Sequence, residues 1–396
     1  MARKSATAPK SRPVSRFAHP FFGQTGDQQQ LVAAAQPGLT NFHLDQLGRI
    51  PPVKGDSSMT LDDIIGAGGT QEIQQLGELR FHTLGDSGVN HATDAELIAE
   101  DMTTDFKASG GGLNPAFMFH LGDVVYGPDK ESHYGERFYT PYKRYPGKII
   151  GIPGNHDGEV KTQVDSPSLS AFLAHFCADQ ATVPTQASES GIFRENMTQP
   201  GVYWLLEAPF LRVIGLYSNK LENPGYLQGK TDSGDEDTSQ LDWLKTTLTK
   251  IAKNKTKKAL LIATHHPPFS QSGHSGSTDM LQSIDDICNA TGVFPDAFFS
   301  GHAHNYQRYT RRIGGKQIPY YVLGTGGIST QKTPAATGQP ADQNNQTTYD
   351  AALQAMGYLF VTVSATQFKT EFWQMGQEHT TPFDPLTLDL TTHLLK

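Results

Sequence analysis

The stretch Lys148-Ile149-Ile150-Gly151-Ile152-Pro153-Gly154-Asn155-His156-Asp157 is an isoleucine-rich run that breaks at Pro-Gly and delivers Asn, His and Asp in a row. A short apolar run bounded by glycine and proline predicts a buried strand. Open α/β sheets place their ligands just beyond the carboxyl ends of such strands. Alone, Gly154-Asn155-His156-Asp157 is read almost as well as a loop whose Asn and His bond their own backbone. Recurrence decides between the two.

Upstream, Ala116-Phe117-Met118-Phe119-His120-Leu121 ends in Gly122-Asp123-Val124-Val125-Tyr126, and Leu79-Arg80-Phe81-His82-Thr83-Leu84 ends in Gly85-Asp86-Ser87-Gly88. Downstream, Ala259-Leu260-Leu261-Ile262-Ala263-Thr264 ends in His265-His266-Pro267-Pro268, with His274 shortly after. Asp296-Ala297-Phe298-Phe299-Ser300 then ends in Gly301-His302-Ala303-His304. His82 and His120 lie inside their strands and are read as core or supporting groups rather than ligands. His302 and His304 alternate as if on opposite faces of a strand, but at a strand end the alternation relaxes and both can serve one site.

Between these blocks the pattern alternates strand and helix, which predicts βαβ construction. Helices are expected over 93–106, with Thr93 as N-cap and Leu97, Ile98 and Met102 on one side, over 241–251, and over 278–290. Ser166-Pro167 opens a further short helix with Leu169, Phe172, Leu173 and Phe176 on one face. Tyr203–Glu207 and Leu211–Leu216 read as a hairpin. Ile318–Leu323, Tyr358–Val363 and Phe368–Trp373 read as strands, followed by a tail without a clear signal. Residues 158–201 are expected as an insertion over the strand ends, either shaping a pocket or forming a surface excursion. Residues 328–348 are expected as a mobile loop beside the site.

The net charge of −8 argues against a dedicated nucleic-acid surface. Cys177 and Cys288 are the only cysteines, so neither a disulfide framework nor a cysteine-based zinc site fits. No apolar run reaches the length of a membrane span. Residues 1–16 are basic without an apolar segment behind them, so no secretory signal is recognised and a cytoplasmic location is expected. Residues 1–70 are expected as a poorly structured extension, and 75–396 as the folded domain.

The five blocks present Asp86, then Asp123 with Tyr126, then Asn155 with His156, then His265, then His302 with His304. Oxygen and imidazole donors without thiolate suit Fe, Mn, Zn or Mg. Two ions sharing a bridging carboxylate satisfy so many ligands, and such pairs clamp a phosphate during in-line displacement.

In order and spacing the blocks resemble the calcineurin-like metallophosphoesterase superfamily, over about residues 79–326. Gly88 stands where most relatives carry a ligand His, and Tyr126 matches the iron-ligating tyrosine of the purple acid phosphatase branch. Gly301-His302-Ala303-His304-Asn305-Tyr306-Gln307-Arg308 is also similar to that branch. The expected fold is therefore an α/β sandwich, two packed mixed β-sheets flanked by helices, with the ligands on one rim. The resemblance implies that Asp86, Tyr126 and His304 hold Fe(3+), and that Asn155, His265 and His302 hold a divalent Fe, Zn or Mn, with Asp123 bridging. It further implies that His156 and His274, the latter nine positions beyond His265, contact the substrate and act in catalysis. Asn155 faces the substrate as well. His266 is read as a supporting group behind the ligands, with the alternative that it replaces His265 as ligand.

The implied activity is hydrolysis of a small-molecule phosphate ester by a metal-bound hydroxide, of the acid phosphatase kind acting on monoesters. A phosphodiesterase acting on cyclic nucleotides, glycerophosphodiesters or nucleic-acid ends uses the same metals and stays open. A metal-free scaffold on the same fold is the reading from outside enzymology.

Overall fold

The computed structural model describes residues 41–89, 92–107, 113–342, 344 and 346–396. The run of isoleucines forms the strand Lys148–Gly151, the outer member of a seven-stranded sheet. That sheet runs Leu394–Leu395, Phe383–Asp389, Gln367–Gln374, Gly357–Ser364, Glu78–Leu84, Phe117–His120, Lys148–Gly151. Its last three strands are parallel and the others antiparallel. A second, eight-stranded sheet runs Ser58–Thr60, Trp204–Glu207, Leu211–Gly215, Ala259–Ala263, Ala297–Ser300, Lys316–Leu323, Tyr306–Ile313, Thr347–Leu353. Its central four, from Leu211–Gly215 to Lys316–Leu323, are parallel.

Both faces of the central strands are covered, which is why they read as unbroken apolar runs instead of alternating ones. Phe117, Phe119, Ile150, Leu261, Ala263 and Phe299 enter the core between the sheets. Their neighbours Met118, Ile149, Ile262 and Phe298 face the outer layer, with Ile98, Met102, Leu244, Leu248 and Ile284 of the flanking helices. Ring contacts seal the interior across the two sheets: Phe119 with Trp204 at 5.3 Å, and Tyr306 with Phe372 at 4.5 Å. Each such fully buried side chain contributes roughly 1.5–3 kcal/mol by transfer from water. The expected architecture is the observed one.

The helices fall at Thr93–Thr103, Ser239–Lys253 and Thr278–Thr291. In the first, Ala92 rather than Thr93 takes the N-cap position, and Leu97 turns outward while Ala95, Ile98, Ala99 and Met102 are buried. The short helix Ser170–Phe176 follows Leu169 and buries Phe172 and Phe176.

The expectation of an irregular segment up to residue 70 is corrected over the part described. The helix Asn41–Gln46 is present, and Ser58–Thr60 adds a parallel strand beside Trp204–Glu207. Leu61–Ile65 follows, capped by Thr60 and Asp63, and then Gly69–Leu76. Leu61, Ile64 and Ile73 bury against the inter-sheet core. These helices are too short for a hydrophobic period to stand out from sequence. The tail read as featureless contributes Phe383–Asp389 to the seven-stranded sheet. Residues 1–40, where the basic tail falls, lie outside the described residues.

Candidate metal centre

Every strand that carries a predicted ligand ends at the same rim, where the carboxyl ends of the two sheets' parallel strands meet. The loops cross at backbone contact distance: Gly85 donates its N–H to Leu323 at 2.9 Å and Gly301 to His265 at 2.9 Å. A Cβ on Gly154 would lie 2.1 Å from Asp123 Oδ1, so only glycine lets the third block pass beside that carboxylate. Asp86, Asp123 and His302 adopt left-handed φ values of +65°, +55° and +69°. Non-glycine residues are rarely held there, and such strain concentrates at functional sites. Hydrogen bonds hold the conformation: Asp86 N to Gly122 O at 3.0 Å, and His302 N to Asp86 Oδ2 at 2.8 Å.

The residues expected as ligands gather in two groups. On one side Tyr126 Oη donates to Asp86 Oδ1 at 3.0 Å, and His304 Nε2 stands 3.5 Å from the same oxygen. On the other, ligand atoms of Asp123, His265 and His302 lie within 4.8 Å of one another. His265 Nε2 is 3.3 Å from Asp123 Oδ2 and 3.0 Å from Asn155 Oδ1. Asp123 touches both groups, since its carboxylate also presses on the Tyr126 phenol.

The surroundings orient these side chains. His265 Nδ1 donates to Leu121 O at 2.8 Å, which turns Nε2 toward the oxygens. His266 behaves differently. Its Nδ1 faces Ser218 Oγ at 2.7 Å and its Nε2 donates to Leu221 O at 2.7 Å, so both nitrogens are engaged away from the carboxylates. Burial, then the neighbouring His265, pushes His266 down to about 3, so it stays neutral. His120 Nδ1 accepts Gly122 N–H at 3.2 Å, which places its proton on Nε2, toward Ser87 Oγ at 2.8 Å. Thus His120 and Ser87 brace the first two blocks, whereas His82 lies apart, between Tyr145 and Asp105. The 328–348 segment lies beside His304: Gln331 N donates to His304 O at 2.7 Å.

His156 and His274 flank the cluster. The His156 ring tilts against Tyr126 with centroids 4.5 Å apart, and the His274 ring tilts against His302 at 4.1 Å. Asp157 closes the opening sequence stretch, whereas Glu159, Glu222 and Asn223 had no sequence signal as parts of a site. Asp157 accepts the N–H groups of Val124 at 3.1 Å, Val125 at 3.3 Å and Gly154 at 2.8 Å, tying the second block to the third. Glu159 holds His156 Nδ1 at 2.9 Å. Glu222 accepts from Asn155 Nδ2 at 3.2 Å, and Asn223 stands between His302 and His274 at 3.3 Å from each. The segment Leu221-Glu222-Asn223-Pro224-Gly225 shows only turn residues, and no spacing links it to a block.

Burial alone would raise Asp123 and lower His265. Their mutual attraction outweighs it, holding Asp123 well below the usual carboxylate range and His265 up at about 9. Burial likewise lowers His156, but Asp123, Glu159 and Glu222 lift it to about 8. For Tyr126, burial and the carboxylates of Asp123 and Asp86 act together and push the phenol far up. Two protons, on Tyr126 Oη and His265 Nε2, therefore sit where the oxygens demand positive charge. A cation would compete for those same atoms and release the protons. Asp86 and Asp123 are no more than 1% exposed, and burying two carboxylates this deep requires such compensation. The donor set fits bound metal.

Gly88 explains why Tyr126 is within reach. A Cβ at residue 88 would stand 1.7 Å from Val124 O, while Gly88 O accepts Tyr126 N–H at 2.8 Å. The second loop lies directly on this glycine. We expect Gly88→Ala to force the two loops apart and lower stability by about 1–3 kcal/mol, read by denaturant unfolding. Wild-type stability in that variant would show that the contact is dispensable.

A two-sheet α/β sandwich with an oxygen and imidazole cluster at the rim shared by both sheets is a metallophosphoesterase fold. The chain belongs to the calcineurin-like phosphoesterase family, which it matches over residues 79–306, more than half its length. Family members depend on a dinuclear metal centre and hydrolyse phosphoesters. A curated relative, purple acid phosphatase 18 of Arabidopsis thaliana, is 33% identical over 101 residues. That alignment spans 24% of this chain and only 22% of the relative. Among solved structures, GAP50, the anchor in the inner membrane complex of Plasmodium, superposes with a TM-score of 0.57 at 13% identity, covering 79% of this chain and 89% of that one. A dimetal phosphatase from Danio rerio superposes with a TM-score of 0.46 at 11% identity, covering 79% and 99%. Among the described residues, no helix is long and apolar enough to cross a membrane.

Proposed function

We propose that the chain is a phosphomonoesterase of the purple acid phosphatase kind. The observation that carries this reading is the Tyr126 phenol on Asp86 beside a glycine that cannot bear a ligand side chain. In this reading Asp86, Tyr126 and His304 would hold Fe(3+), Asn155, His265 and His302 a divalent Fe, Zn or Mn ion, and Asp123 both. Bound there, the two ions would neutralise the phosphoryl group and acidify water.

The remaining chemistry belongs to the side chains around the centre. His156, held by Glu159 at Nδ1, faces the anionic ester. His274 lies beside His302, with ring centroids 4.1 Å apart, and supplies a proton to the leaving oxygen. Asp157 keeps the second and third blocks in register, so that Asp123 and Asn155 stay in the same cluster.

A phenolate on Fe(3+) absorbs in the visible by charge transfer. The oxidised, iron-loaded protein is expected to be violet, and Tyr126→Phe to bleach it while circular dichroism stays unchanged. A colourless protein that is fully active with Mn or Zn and indifferent to Tyr126→Phe would place it outside that branch. A panel of phosphate esters tests the substrate class: monoesters are expected to be turned over faster than diesters sharing the same leaving group. The reverse order would make the enzyme a phosphodiesterase.

A further inference from the structure

On the dinuclear reading above, we propose that Glu222 and Asn223 are positioning residues. Together they fix which atom Asn155 and His302 turn to the divalent ion.

A carboxylate only accepts hydrogen bonds. Glu222 Oε2, 3.2 Å from Asn155 Nδ2, therefore admits only the amino end of that amide and leaves Oδ1 toward His265 Nε2 at 3.0 Å. The amide of Asn223 has one accepting and one donating end, and each meets an imidazole. Its Oδ1 is 3.3 Å from His302 Nε2, and its Nδ2 is 3.3 Å from His274 Nδ1. His302 thus donates from Nε2 and keeps the lone pair on Nδ1 for a metal. His274 Nδ1 also stands 3.7 Å from Glu222 Oε1, so both residues of the pair flank that ring.

The loop carrying this pair is itself firmly held. His266 bridges Ser218 Oγ and Leu221 O, each at 2.7 Å, and Asn219 Oδ1 accepts Gly48 N–H at 2.8 Å. Asn223 is 9% exposed, so water does not readily replace its amide. This also gives His266 a task without contact to metal: it anchors the loop that orients Asn155 and His302.

The test uses the full chain, with metal affinity read by chelator competition. Glu222→Ala and Asn223→Ala are expected to weaken the more loosely held ion about 10–100-fold, with the tighter ion unaffected. Asn223→Asp keeps the accepting oxygen. Its carboxylate still accepts from His302 Nε2, so metal affinity is kept or tightened.

Wild-type affinity in both alanine variants, or Asn223→Asp losing metal as Asn223→Ala does, would overturn the proposal. Should Asn223→Ala fail to fold, Glu222→Ala and Asn223→Asp still decide it. A wild-type chain that takes up no metal removes both this proposal and the function. One that binds two ions yet hydrolyses no ester removes the function alone, and the affinities still judge the positioning roles.

Discussion

Asp123→Ala is expected to abolish ester hydrolysis and to lower the content of both metal ions. The carboxylate lies 3.3 Å from His265 Nε2 and also against the Tyr126 phenol, so it faces both halves of the centre. Neither half has another group placed to substitute, because Asp86 is committed to Tyr126 and to the backbone of His302. Removal also leaves His156 N–H, which donates to Asp123 Oδ1 at 2.9 Å, without its acceptor. An unsatisfied buried donor costs about 1–3 kcal/mol, which the two-sheet core can absorb. Circular dichroism should therefore report a folded protein while metal analysis reports the loss of both ions. Retention of either ion at wild-type affinity would remove Asp123 from the bridging position.

His274→Ala is expected to act through chemistry alone. The ring lies beside His302, centroids 4.1 Å apart, but is not among the three residues whose donor atoms converge on one point. Both metals should stay bound, and turnover should fall by about 10²–10⁴-fold, the usual contribution of a positioned general acid. The loss should be largest for esters whose leaving oxygen most needs a proton. If the variant instead loses metal as Asp123→Ala does, His274 is a ligand and the division between holding metal and handling substrate is wrong.

Much of the site was legible because each block is written locally. The strand and the ligand, with a glycine between them in four of the five blocks, follow one another within ten residues or fewer, and the parallel topology brings all five ends to one rim. Asn155 and His156 follow the apolar run of their own strand, and so do Asp86, Asp123, His265 and His302. Glu222 and Asn223 were not legible for the opposite reason. Their loop has no hydrophobic period, and Glu222 meets Asn155 across 67 positions of chain. What carries them to the site is the packing of His266 on Ser218 and Leu221, which no local pattern expresses.

The fold shows the same division. The strand Tyr306–Ile313 reads as polar, Tyr-Gln-Arg-Tyr-Thr-Arg-Arg-Ile, yet six of its eight residues are buried. Arg308 is there because Asp384 and Asp350 meet its guanidinium, and Arg311 because Asp285 does. Buried charge is tolerated when paired and hydrogen-bonded, and the pairing is invisible to a hydrophobic pattern. Thr347–Leu353, its neighbour in the sheet, fell inside and beyond a segment expected to be a loop for a similar reason. Only Tyr349, Ala351 and Thr347 of that strand are buried, too few to stand out against the Gln- and Asn-rich residues before it.

Metal analysis of the purified, reconstituted chain tests the central claim most directly. The account predicts two ions per chain, one of them iron, bound at the rim formed by Asp86, Asp123, Tyr126, Asn155, His265, His302 and His304. A chain that holds no metal, or a single ion however it is loaded, would contradict it.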